Sequence, residues 1–302
     1  MKKNLIIKGS VLLLSTTFLL SCESDIDVNI DTQPKNDVET IAVDMIDSNN
    51  QESVIEYSVP TPNELFEIVK SQGGVLNLAL VNPLENKSIY INTKSKAINF
   101  GVYSADIGYM SCFEHNLEFL KYSKVIEDIG TDLGISDVFN EELMARIENN
   151  EGNNDSLFVI SNDTYFNSYQ FLEENDKGTE LALIISGGFF ESLYIISNLA
   201  GEYSENNTII EKIGGQKIVL ENIIDFCSTY MDDESIGEIM IDLDELGQVY
   251  EENMDFVEEK SSITTEDDIV TLNGGGHFEM NEKTFNAVKI KVTEIRTKLT
   301  QK

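Results

Sequence analysis

Apolar positions along this chain fall mostly into helical periods separated by glycine- and asparagine-rich breaks, and one stretch departs from the rule by being apolar all round. Across residues 181–196, LALIISGGFFESLYII, only Ser186, Glu191 and Ser192 interrupt the run, so a helix here is hydrophobic on every face and belongs inside the body. Gly187 and Gly188 sit in its middle, where each glycine costs a helix roughly 1 kcal/mol relative to alanine. That cost is offset where a second backbone packs against the bare surface. Residues 98–110 supply a match: Gly101, Ser104, Ala105 and Gly108 place small residues at three- and four-residue spacing. Both stretches also carry a carboxylate followed three places on by a tyrosine, Asp106/Tyr109 and Glu191/Tyr194. The pattern predicts twin central helices over residues 94–112 and 180–199.

Amphipathic segments surround them. Thr61 or Asn63 can cap a short helix to residue 70 with Leu65, Ile68 and Val69 on one face, ending at Gly73-Gly74. Asn116 is placed to cap a helix whose Tyr122, Ile126, Ile129 and Leu133 share a face until Gly134 stops it. Ser136 is placed to cap the next, with Phe139, Leu143 and Ile147 inward, before a polar break at 148–155. Helices over about 157–172, 209–230 and 235–254 follow, the last burying Ile236, Ile239, Leu243, Leu246 and Tyr250. Residues 258–267 read as an acidic linker, and 269–272 with 277–280 as a small β-hairpin around a glycine turn. Asn281 then caps a last helix with Phe285, Val288, Val292, Ile295 and Leu299 in register and with Lys283, Lys289, Lys291, Arg296 and Lys298, a cationic helix expected to dock on the acidic body.

The fold class expected is all-α, a bundle or repeat of about nine helices with two buried central ones and a possible small hairpin before the C-terminal helix. One domain covers 60–302. It divides into possible tandem halves, 60–150 and 155–256, each reading short helix, buried helix, amphipathic helix, amphipathic helix, and a C-terminal hairpin and helix, 265–300.

Charge and address narrow the function. The formal net charge of −33 repels nucleic-acid phosphates and anionic lipid, while leaving basic partners and cations open. At the start, Lys2, Lys3 and Lys8 precede an apolar run, 11–20, too short to span a bilayer, so residues 1–21 read as a signal peptide. The run ends Leu19-Leu20-Ser21-Cys22, which resembles the lipobox of bacterial lipoproteins. That likeness implies cleavage before Cys22, acylation of Cys22 with fatty acids such as palmitate, and a membrane anchor. Residues 22–59, with ten acids from Glu23 onward against the single base Lys35, read as a disordered, self-repelling tether. The acids just after Cys22 resemble the export signal of surface lipoproteins in Bacteroidota, so the expected location is the outer membrane, on its periplasmic or surface face.

Candidate chemistry is sparse. A carboxylate inside an apolar helix requires a partner or a raised pKa. Asp106 and Glu191 could converge as an acid/base pair or a cation or ligand site, with Tyr103, Tyr109 and Tyr194 nearby. Alternatively each is a hydrogen-bond anchor for a tyrosine hydroxyl or a loop N–H. His115 and His277, the only histidines, fit no metal motif, and Asp242-Leu243-Asp244 fails the calcium-loop pattern, so no metal or cofactor is expected. Gly274-Gly275-Gly276-His277 lacks the Lys-Ser/Thr of a phosphate loop. Cys112 and Cys227 read as buried free thiols in preference to a disulfide.

The lipobox, the acidic tether, FGVYSADIGY at 100–109, GGFFESLY at 187–194 and the TFNAVKIKVTEIR helix together resemble an uncharacterised family of helical lipoproteins from Bacteroidota. This resemblance brings no known activity. The function expected is therefore a binding or scaffold module at the cell envelope, with a protein partner there possible. A helical enzyme or ligand site using Asp106 and Glu191 is one alternative. The other is glycan capture, as in SusD-type lipoproteins, against which stands the absence of Trp.

Overall fold

Each central helix forms where its glycines allow another backbone to approach, and that contact is the heart of the protein. In the computed structural model, which describes residues 62–150, 152–252, 254–257, 262–266, 269–273 and 277–301, helix α1 (Pro62–Ser71) leads through a long connection with a 3-10 turn (Leu84–Ile89) to α2 (Thr93–Cys112). Helices α3 (Asn116–Leu133), α4 (Glu141–Asn149), α5 (Asn154–Glu174), α6 (Gly178–Leu199), α7 (Thr208–Ser228) and α8 (Glu234–Glu251) follow, with α9 (Glu282–Thr300) last. The described residues are all-α apart from four short strands, as the periodicity predicts. The expected signal peptide, the Cys22 lipidation site, the tether, Thr61 and the glycine turn at 274–276 lie outside the described residues.

Helices α2 and α6 cross in van der Waals contact. A Cβ placed on Gly101 would stand 1.9 Å from the Ile184 carbonyl oxygen, and one on Gly187 would stand 2.0 Å from that of Ile98, so neither position has room for alanine. Gly101 lies against Ile184 and Gly188, and farther along both helices Asp106 meets Glu191, so the two run from the crossing to the acid pair in the same sense. Nearly every residue of α2 from Ala97 onward and of α6 from Leu181 to Ser197 is buried. Although α6 is long and apolar enough to cross a membrane, most of it is enclosed by its own protein. Both α1 and α5 pack against both central helices.

Local chemistry sets the ends. Asn92 caps α2 by accepting from the Ser95 N–H at 2.8 Å, and Asn281 caps α9 by accepting from the Thr284 N–H at 3.0 Å. Gly134 closes α3 in the left-handed region at φ 75°. Two expected caps move. Helix α3 starts at Asn116 with His115 at the cap position. Helix α4 is capped by Asn140, accepting from the Leu143 N–H at 2.9 Å, because Ser136 belongs to a turn that first carries Phe139 edge-on to Phe100, centroids 5.8 Å apart.

The hairpin is also corrected. Strand β2 (Ser262–Glu266) pairs antiparallel with β3 (Ile269–Asn273), and β1 (Asp255–Val257) pairs antiparallel with β4 (His277–Glu279). Residues 269–272 and 277–280 therefore do not pair with each other across the glycines. Residues 262–266, expected to be linker, form a strand instead. Only two residues, Asp267 and Asp268, separate the paired ends Glu266 and Ile269, and such short connections are the commonest in hairpins.

Helix α9 docks on α2, α6 and α8. Its Phe285, Val288, Val292 and Ile295 are buried, while Lys291 pairs with Glu245 at 3.1 Å and Lys298 with Asp242 at 2.7 Å along the rim.

Candidate functional site: the buried acid pair

Asp106 on α2 and Glu191 on α6 lie one to two turns beyond the glycine crossing, so the close approach of the two backbones brings the carboxylates together. Both are fully buried, at 0% exposure. Glu191 is gripped by Arg296 of α9 through two parallel bonds: Nε donates to Oε2 at 2.9 Å and Nη2 to Oε1 at 3.0 Å. The same Nη2 donates to the Leu80 carbonyl at 3.2 Å, and the guanidinium lies on the Tyr194 ring, 4.8 Å from its centroid.

Asp106 is served differently. Its Oδ2 accepts from the Asn82 N–H at 3.0 Å, while Oδ1 meets no donor; the carboxyl as a whole stands within hydrogen-bonding reach of the Glu191 carboxylate. Two carboxylates facing each other with one guanidinium to serve both cannot both stay ionised. Burial first, and then the Glu191 charge, push Asp106 well above the usual carboxylate range, with the Asn82 N–H and Arg296 opposing. Glu191 is raised by burial but drawn back by its two bonds to Arg296. Asp106 therefore holds the proton and donates it to an ionised Glu191, which accounts for Oδ1.

The tyrosines serve the connection between α1 and α2. Tyr103 donates to the Pro83 carbonyl at 2.8 Å, Tyr122 to that of Asn82 at 2.8 Å, and Tyr90 to that of Thr300 at 2.9 Å; Tyr109 accepts from the Asn77 N–H at 2.7 Å. The Asn82 side chain joins in, donating to the Tyr90 hydroxyl at 3.0 Å and accepting from Asn86 at 2.8 Å. Burial raises the Tyr103 and Tyr122 phenols above their ordinary range and Tyr90 to about 12, so all three stay protonated as donors.

Of the residues singled out from sequence, Asp106 and Glu191 meet, Tyr194 joins them through Arg296, and Tyr103 lies close to Asp106. Tyr109 instead holds Asn77. Among the described residues no tyrosine hydroxyl reaches either carboxylate: a loop N–H serves Asp106 and α9 supplies the cation. Sequence reasoning missed Asn82, Tyr90 and Tyr122 as members, and Arg296 as the partner. Arg296 was findable, since it sits beside Ile295 on the apolar stripe of the strongly cationic last helix. Asn82 carried no signal, because its role depends on where an irregular segment runs.

Cys112 and Cys227 are buried, unbridged, and raised by burial to about 12 and about 11, outside the range of reactive thiols. Among the described residues no three His, Cys, Asp or Glu side chains gather as metal ligands would. No protein-family model matches the chain, no curated protein is similar to it, and no solved structure matches its fold.

Proposed function

We propose that this chain is an acidic helical lipoprotein, held at the outer membrane through acyl groups on Cys22, that acts as a binding or scaffold module, with Asp106 and Glu191 as an internal clamp. The observation that carries this reading is the complete enclosure of the acid pair. Catalysis or cation binding by these carboxylates needs a path for substrate or ion, and both are at 0% exposure, with Arg296 already filling the position a ligand cation would take. What the pair does accomplish is to join α2, α6, α9 and the segment around Asn82 at one point. That is the work of a rigid body presenting its surface, and the charge of −33 suits a surface that stays soluble and turns away nucleic acid.

The anchor rests on the lipobox residues. Labelled palmitate fed to a Gram-negative host expressing the full chain should enter the wild-type protein and leave it in the membrane fraction. Cys22→Ser should carry no label and be soluble after extraction of the envelope. Equal labelling of both proteins defeats the anchoring claim, and equal loss of an assayed activity at Asp106→Asn and Glu191→Gln with unchanged melting temperatures defeats the clamp.

A further inference from the structure

Strands β2 and β3 pair in unbroken register through five consecutive partners, from Ser262 with Asn273 to Glu266 with Ile269. Among the described residues each strand has a neighbour on one side and none on the other. The body meets this part of the chain chiefly through β4, which rests on α7. A two-stranded ribbon by itself is at best marginally stable in water, and a bare edge is a template for one more strand. Sheets that keep an edge closed place lysine, proline or a bulge along it. Strand β2, Ser-Ile-Thr-Thr-Glu, carries none of these.

Register identifies the free backbone groups. Residues flanking a two-residue hairpin connection bond each other, and bonding alternates along an antiparallel pair. Ser262, Thr264 and Glu266 therefore bond across to β3, while Ile263 and Thr265 turn their N–H and C=O groups to the outside of β2. On β3 the outward groups belong to Val270 and Leu272. Charge separates the two edges. Residues 255–266, the arm containing β2, hold Asp255, Glu258, Glu259 and Glu266 against Lys260, whereas the returning arm, 269–279, holds the single acid Glu279. Asp255 and Glu279 are direct partners across β1 and β4, and like charges so placed weaken a strand pair. A second copy would bring the same acids against these, so self-pairing is opposed and a cationic strand is favoured.

We propose that the outer edge of β2 receives an extended segment of another protein, rich in lysine or arginine, which adds as a third strand bonded to Ile263 and Thr265. Main-chain bonds supply the affinity, and the acids of the β2 arm select basic side chains. This gives the binding-module reading a partner class and rests on it. Palmitate labelling and the melting temperatures test the anchor and the clamp without reference to β2, so failure here leaves those results standing.

The test uses the full chain in a neutral detergent and a fluorescent peptide alternating lysine with valine, KVKVKVKVK, set against the same residues in blocks, KKKKKVVVV. The alternating peptide should bind saturably, more tightly than the block peptide, and should slow hydrogen exchange across residues 262–266. Thr265→Pro removes one outward N–H at an edge position where proline leaves the ribbon's own bonds in place. It should weaken the alternating peptide by roughly 3- to 10-fold, the worth of one hydrogen bond. Val270→Pro, the same change on the other edge, should leave binding as it was, and Glu266→Lys should weaken it through charge. Absence of saturable binding, or equal binding of the block peptide, overturns strand addition. Equal weakening by Val270→Pro and Thr265→Pro overturns the choice of β2. Exchange across 262–266 that slows with rising protein concentration and no peptide puts a second copy on this edge and overturns the basic partner.

Discussion

At Asp106 a neutral amide should replace the acid without loss. Asparagine can accept from the Asn82 N–H through its oxygen and donate to Glu191 through its nitrogen, reproducing both bonds of the protonated acid. Glu191→Gln is a different change, because it removes the charge that Arg296 was buried to meet, and breaking a buried pair on one side costs about 3–5 kcal/mol. In that background Asp106 can ionise toward Arg296 and recover part of the loss. Asp106→Asn, harmless alone, should therefore become costly when added to Glu191→Gln, a non-additivity readable by urea unfolding of the four proteins. The pH dependence has a definite sign. A carboxyl raised on folding contributes its stability below the unfolded value of about 4 and loses it as pH climbs toward the folded value. The melting temperature of Asp106→Asn should thus exceed that of wild type by a margin that grows between about pH 4 and 7, and a constant margin would show that Asp106 is ionised in the folded protein.

Among the elements, the crossing of α2 and α6 tolerates no added carbon at two of its glycines. Gly101→Ala drives a methyl into the Ile184 carbonyl, and forcing extra atoms into a packed backbone contact costs about 1–3 kcal/mol or more. Gly215, on the exposed side of α7 with nothing within 4 Å of an added Cβ, should respond in the opposite direction, Gly215→Ala gaining up to about 1 kcal/mol from helix propensity. If both substitutions behave alike in thermal melts, close approach is not what fixes Gly101. Helix α9 allows a similar comparison. Phe285→Ala should cost about 3–5 kcal/mol as a buried aromatic is lost, whereas Lys291→Ala, removing a rim pair with Glu245, should cost no more than about 1 kcal/mol. The apolar stripe holds this helix, and Arg296 sets its register against α6.

For the whole molecule, repulsion within a net charge of −33 opposes compaction, and dissolved salt screens it over about 10 Å at 0.1 M. Thermal stability should rise as sodium chloride is increased from 0.01 to about 0.3 M, with most of the gain at the low end; a flat or falling profile would mean that exposed pairs such as Lys96 with Asp132 outweigh the repulsion. How much of this architecture was legible beforehand follows from the range of each interaction. The helices, their glycine crossing, the burial of α6 and the cap at Asn281 depend on periodicity and on residues a few places apart, and the chain states these openly. The meeting of Asp106 with Glu191 was readable too, since it follows from the crossing. The hairpin pairing was not, because a glycine run and a two-residue connection are equally good local turns and only the strand register chooses between them. Sequence determined which segments had to be helical and which two had to touch. Tertiary structure alone decided that one arginine from the far end of the chain faces two acids, and therefore that one of them keeps its proton, because the ionisation of a buried group is set by charges that only folding brings near.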